Sequence, residues 1–240
     1  MRVDLHCHLL PGVDDGPRSD ADALALARAL VDDGVGVVAA TPHHTPRHST
    51  PRPQLAARLT ALRELIAADE LPLEVLGGAE VAVDALLDLP DDEIQALRIG
   101  ETGPLLVELP QREVAGDPGW IVTELLERGV PVLLAHPERV PYFQADLRRL
   151  QALTRRGAHA QGTAGAFLGR YGATAQRAAV AMLDAGLIDV LASDAHHAQL
   201  RPPDLEAARH WLAEHRPDCS FDQLTVHTPS VLIPRPAPTP

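Results

Sequence analysis

The feature that most constrains this chain is a set of short, unbroken apolar runs separated by longer stretches of helical period. The runs are Arg2–His8, Val35–Ala40, Leu73–Ala79, Leu105–Leu109, Val130–Ala135, Ala158–Gln161 and Ile188–Ala192. They are continuous rather than alternating, which is how strands read when a parallel sheet is buried on both faces. Helices are expected between them, over Ser19–Asp33, about 54–68, Gly119–Arg128, Gln144–Arg156, Gly165–Ala185 with a break near Gly172, and Pro203–His215. Ser19 is placed to cap the first helix and Gly34 to end it. The stretch 81–97 reads as short helices. About seven strand–helix units in 240 residues fit an α/β chain closed as a distorted (β/α)7-type, TIM-like barrel. An open doubly wound sheet is the alternative, but neither G-x-G-x-x-G nor G-x-x-x-x-G-K-[ST] occurs to support it. With 45% hydrophobic residues, the chain can bury one sizeable core. One domain over 1–233 and a Pro-rich tail over 234–240 are expected.

The formal net charge is −12, and no basic face emerges. The pairs Arg148–Arg149 and Arg155–Arg156 read as solvated helix faces, so nucleic acid is not an expected partner. An acidic balance does not exclude an anionic substrate, because bound cations can dominate the local field. Two cysteines, Cys7 and Cys219, offer no disulfide framework and suit a reducing cytoplasm. No signal-type apolar segment precedes the first strand, and no run approaches the ~20 residues of a membrane span. Membrane insertion is therefore not expected.

The chemistry sits where the apolar runs stop. The first ends in His6-Cys7-His8, and strand alternation puts the two histidines on one face, with Leu5 and Cys7 on the other. Alone, H-x-H reads equally well as two ordinary histidines. The pattern then recurs: the later runs lead into His43-His44, Glu80, Glu108, His136 and Asp194-Ala195-His196-His197. Each acid could be a helix cap and each histidine a satisfied core residue, but six coincidences are improbable. Parallel barrels collect catalytic groups at the C-terminal ends of their strands, on one rim. Imidazole with carboxylate and no thiolate suits Mn, Fe or Zn at a catalytic site. The absence of C-x-x-C and H-E-x-x-H excludes a structural zinc finger and a zincin. So many ligands point to two or three divalent ions. Four carboxylates against three divalent ions leave +2, which matches a phosphate dianion.

These residues resemble a known family. His6-Cys7-His8, Gly12-Val13-Asp14-Asp15-Gly16-Pro17, Ala40-Thr41-Pro42-His43, Ala79-Glu80, Val107-Glu108, Ala135-His136-Pro137-Glu138-Arg139 and Ser193-Asp194-Ala195-His196 follow the motif order of the polymerase-and-histidinol-phosphatase (PHP) superfamily. Within it the chain looks most like the bacterial manganese-dependent protein tyrosine phosphatases encoded with capsule and exopolysaccharide genes, over roughly residues 1–215. Gln161 and the run Ala164–Gly169 also fit that pattern. The resemblance implies the PHP barrel and a three-metal site, with Mn the expected ion and Fe or Zn the alternatives. It assigns His6, His8, Asp15, His43, Glu80, Glu108, His136, Asp194 and His196 as ligands. Asp15 fits better than Asp14, and His43 better than His44. Arg139 and Arg201 fall where such phosphatases bind phosphate, and their bland reading is helix-start charges.

The resemblance thus implies hydrolysis of protein phosphotyrosine by a metal-activated water, linked to capsule or exopolysaccharide regulation. A bacterial tyrosine kinase is the implied partner, and no oligomeric state follows. Neither cysteine starts a C-x5-R thiol-phosphatase motif. His44 and His197 are spare histidines able to donate a proton. The alternatives are a histidinol-phosphate phosphatase or another small-molecule phosphoesterase of the superfamily and, from a different class, a non-catalytic metal-binding regulatory module.

Overall fold

The computed structural model describes residues 1–100 and 102–234. Among these residues nine strands follow in chain order: β1 Arg2–Cys7, β2 Val35–Ala40, β3 His43–His44, β4 Glu74–Gly77, β5 Glu80–Ala82, β6 Leu105–Glu108, β7 Val132–Ala135, β8 His159–Thr163 and β9 Val190–Ala192. All of their pairings are parallel, in two runs, β1-β2-β4 and β3-β5-β6-β7-β8-β9. β3 and β5 lie beyond the expected strands Val35–Ala40 and Leu73–Ala79, where the chain resumes strand pairing after a short break, so β2/β3 and β4/β5 each act as one barrel position. Seven positions result. The ring closes beside β1, where Cys7 bridges Ala195 in parallel, His8 N–H donates to Ala195 O (2.9 Å) and Asp194 N–H donates to His6 O (2.8 Å). This is the distorted barrel the apolar runs imply.

The helices are α1 Asp20–Asp32, α2 Arg52–Ala68, α3 Asp91–Ala96, α4 Gly119–Glu127, α5 Pro141–Ala145, α6 Leu147–Thr154, α7 Ala164–Phe167, α8 Gly172–Asp184, α9 Leu205–His215 and α10 Thr228–Leu232. Ser19 caps α1 in a capping box with Asp22, worth about 1 kcal/mol. The expected helix over Gln144–Arg156 is two helices, because Asp146 leaves the helical region and caps α6 through Arg148 N–H. Residues 81–97 hold β5 as well as short helices. The chain also does not end its regular structure at His215: a π-turn, Gln223–His227, runs into α10. Behind it Ile233 is buried in the barrel interior. The expected tail falls, from residue 235, outside the described residues.

Two apolar layers follow the pleat. Val37, Ala39, Leu106, Leu133, Ala135 and Val190 fill the barrel, while their neighbours Val38, Ala40, Val107 and Leu134 pack under the helices. On β1 the parity changes. Val3 and Leu5 point inward but Cys7 points outward, because the register slips between Asp4 and Cys7. Strict alternation, which groups Leu5 with Cys7, is therefore wrong at this point. The bulge turns His6 and His8 into the barrel mouth, a common use of bulges beside active sites.

Candidate metal centre

The candidate ligands reach the mouth by different routes. Glu80 and Glu108 continue the inward parity of Leu106, the residue with which Glu80 is in register. His136 and Asp194 sit past their strands in left-handed backbone (φ 32° and 53°), rare for non-glycine residues and a sign of a site held by its surroundings. Asp15 comes from the loop after β1, and His43 from β3.

The structure brings all nine together. Their ligand atoms form four overlapping groups, each within 4.8 Å: His8, Asp15, His43 and His196; His6, His8 and Asp194; His6, Glu80 and His136; and His43, Glu80 and Glu108. Among the described residues, these groups contain no other side chain. Glu80 is the hub. Its Oε1 lies 2.7 Å from His136 Nε2. Its Oε2 lies 3.3 Å from Nε2 of both His6 and His8, and 2.9 Å from His43 Nδ1. Glu80 Oε2 and His43 Nδ1 are both buried without a hydrogen bond, despite their proximity. The two Nε2 atoms of His6 and His8 face each other at 3.3 Å. Lone-pair atoms converging at this depth fit divalent cations.

The electrostatics agree. Burial opposes charging His6, but Glu80 and Asp194 outweigh it and raise its pKa. Burial likewise opposes charging His8, and hydrogen bonds to Asp14, Asp194 and Glu80 drive its pKa well above the usual imidazole value. Glu80 and Asp194 are held well below the carboxylate range, with burial outweighed in each case by the imidazoles around them and, for Asp194, by the two arginines. The carboxylates thus demand positive charge at this spot, from protons or from metal. His136 differs: burial, then Arg139, lowers it to about 4, leaving a neutral imidazole.

A second layer fixes the rings. Asp14 Oδ2 lies 2.7 Å from His8 Nδ1 and accepts from His43 N–H (3.0 Å), while Gln161 Oε1 lies 2.8 Å from His6 Nδ1. With its second nitrogen engaged, each imidazole turns Nε2 to the centre, the orientation a ligand needs. Asp14, set aside in favour of Asp15, is thus placed behind the centre, while Asp15 Oδ1 lies 3.2 Å from His196 Nε2 at the rim. Arg139 and Arg201 meet on one atom, Asp194 Oδ2, the latter at 2.7 Å. Two further partners of Arg139 carry no signal in the sequence. Gln111 Oε1 accepts from Arg139 Nε (3.1 Å) and Nη2 (3.0 Å), while Gln111 Nε2 donates to Glu108 Oε1 (2.7 Å). Tyr171 lies under the guanidinium, 4.5 Å from Cζ to the ring centroid. Neither residue ends an apolar run, so no pattern flagged them. The spare histidines are less apt as acids. His197 Nδ1 accepts backbone N–H groups from Gln199 and Leu200, and His44 has its pKa lowered by burial.

A family model for capsular polysaccharide synthesis proteins of the CpsB/CapC type matches residues 2–234. The chain belongs to the CpsB/CapC family. Among its relatives, the tyrosine-protein phosphatase YwqE of Bacillus subtilis is 32% identical over 201 residues, 83% of this chain and 79% of YwqE. The tyrosine-protein phosphatase CpsB of Streptococcus pneumoniae is 26% identical over 96% of this chain and 98% of its own. A crystal structure from work on YwqE and CpsB, described as unique metal-dependent tyrosine phosphatases, superposes with a TM-score of 0.80 at 26% identity, covering 96% of this CpsB/CapC chain and 91% of that one. The phosphotriesterase homology protein of Escherichia coli shares the fold at a TM-score of 0.57 and 12% identity, covering 96% of this chain and 98% of its own.

Proposed function

We propose that this CpsB/CapC protein is a metal-dependent phosphatase that removes phosphate from protein tyrosine, with the nine mouth residues as ligands of two or three divalent ions, Mn foremost. The observation that carries the reading is the adjacency of the Glu80-centred cluster to two arginines that share Asp194 Oδ2. Divalent ions in such a cluster supply a nucleophile at neutral pH by acidifying water, and they neutralise phosphate oxygens. The chain's own groups do the rest. Arg139 and Arg201 offer charge-assisted donors to a phosphate dianion, and Asp194 keeps the two guanidinium groups side by side. Asp14 and Gln161 hold His8 and His6 in one orientation. A tyrosine leaving group has a pKa near 10, so its departure needs little help from a general acid.

Two clefts flank the cluster and fit a polypeptide better than a small enclosed substrate. One, of about 420 Å³, is lined by Asp15, Arg18, His197, Leu200 and Arg201 among others. The other, of about 540 Å³, runs past Arg47, Asp84, Glu108, Gln111 and Arg112. Relatives named as tyrosine phosphatases support the same substrate class. A bacterial tyrosine kinase as the phosphorylated partner, a role in capsule or exopolysaccharide control, and a cytoplasmic site of action belong to this proposal. No helix among the described residues is long and apolar enough to cross a membrane, and both cysteines are free. The test compares a phosphotyrosine peptide with histidinol phosphate as substrates of the Mn-supplemented enzyme. The peptide is expected to be cleaved more efficiently, with EDTA stopping the reaction. Preference for histidinol phosphate would overturn the tyrosine assignment.

A further inference from the structure

Arg139 is 13% exposed, and its donors are largely committed. Of its five N–H groups, Nε and one on Nη2 point to Gln111 Oε1, and one on Nη1 points to Asp194 Oδ2. One donor on each terminal nitrogen remains for phosphate. Both lie in the guanidinium plane, so the tilt of that plane decides where they aim. Gln111 and Asp194 grip the edge of the plane and leave rotation about the line between them open. Beyond the side chain's own Cδ attachment, a contact on the face is what restrains that rotation.

Tyr171 supplies the face. It stands at the start of α8, a helix that packs against the Pro137–Arg139 turn, and its half-buried ring joins the outer core. The ring centroid is 4.5 Å from Arg139 Cζ, while the phenol oxygen interacts with the guanidinium of Arg201. The position of the ring is itself constrained from behind. A Cβ at Gly165 on α7 would come within 3.3 Å of Tyr171 Cε2 and 3.1 Å of Arg170 Cδ, so only glycine there leaves the ring where it is.

We propose that Tyr171 is a positioning residue whose ring face fixes the plane of the Arg139 guanidinium and so aims its two free donors at the phosphate of the substrate. This rests on the phosphatase reading above and deepens it. The ring face is what holds Arg139, so phenylalanine is expected to keep most of the effect while giving up the hydroxyl's contact with Arg201, and an aliphatic side chain of similar bulk is expected to lose it.

The test uses the full-length Mn-loaded enzyme and two readouts: titration with inorganic phosphate and steady-state kinetics with para-nitrophenyl phosphate. Tyr171→Leu is expected to raise the phosphate Kd and KM about fivefold, the scale of one cation–π contact, with metal content unchanged. Tyr171→Phe is expected to show a clearly smaller rise. If Tyr171→Leu does not fold, Gly165→Ala displaces the ring by a few tenths of an ångström, and a smaller rise in the same constants is expected. Wild-type phosphate affinity in whichever of these two variants is measured overturns the proposal. So does a Tyr171→Phe defect as large as that of Tyr171→Leu, which would assign the effect to the hydroxyl. A wild-type enzyme that binds phosphate but cleaves no phosphotyrosine would refute the functional reading, while the phosphate titrations would still decide the role of Tyr171.

Discussion

Glu138 is fully buried one residue before Arg139, and replacing it by glutamine should make the metal-free protein more stable at alkaline pH. Its Oε1 accepts from Thr163 N–H (2.9 Å), while Oε2 and Thr163 Oγ1 are buried without partners. Burial raises the carboxyl from 4.5 to about 7. Below pH 4.5 the group is neutral in both the folded and the unfolded chain. Between 4.5 and 7 the unfolded chain has lost this proton and the folded one keeps it, so stability falls as pH rises. Above 7 the folded protein carries a buried anion. Linkage over these two values gives a loss of about 2–3 kcal/mol between pH 5 and pH 8 from this one group. Glutamine keeps the acceptor for Thr163 N–H, offers an N–H to Thr163 Oγ1 and has no such dependence. Thermal unfolding of wild type and Glu138→Gln in EDTA, from pH 5 to pH 8, isolates the effect of Glu138, because other titrating groups such as Asp4 are common to both. The advantage of the variant in Tm should widen by about 5–10 °C over that range. A difference independent of pH, or one that shrinks, would refute the reasoning.

Other perturbations follow from the same geometry. Cys7→Ser should retain activity, because Cys7 Sγ faces Ala195 O in the outer layer and burial drives its pKa well above that of a free thiol; inactivation of a folded variant would revive a thiol nucleophile. Gly16→Ala would place its Cβ 2.6 Å from His8 O, displacing the loop that carries Asp14 and Asp15. Mn titration should show roughly a tenfold or greater loss of affinity, the scale for disturbed outer-shell partners, and unchanged affinity would contradict the placement of that loop. Arg201→Ala should raise KM for aryl phosphates by about 10- to 100-fold, one charge-assisted hydrogen bond, and an unchanged KM would remove Arg201 from the phosphate site.

Much of the barrel and eight of the nine candidate ligands were legible because one rule, an apolar run leading into His, Asp or Glu, is local in the chain; Asp15, in the loop after β1, was marked only by the family resemblance. The means by which those residues turn inward was not. The β1 bulge that separates Leu5 from Cys7 depends on register with β2, and the left-handed backbone at His136 and Asp194 depends on the closed ring around them. Breaks such as the one at Asp146 lie below what helical period resolves. Tyr171 and Gln111 escaped for a different reason: both act through contacts to Arg139, and no spacing in the chain encodes a contact 28 or 32 residues away.

As a multi-metal catalytic centre, the Glu80-centred cluster should govern metal content and turnover together. The most direct test strips the protein with EDTA, then titrates Mn back while counting bound ions by elemental analysis and following phosphate release from a phosphotyrosine peptide. Activity should rise with metal and saturate at two or three ions per chain, and Glu80→Gln should lose both together. Full activity in the stripped protein, or ions bound at that stoichiometry with no phosphate released from any phosphoester, would contradict the account.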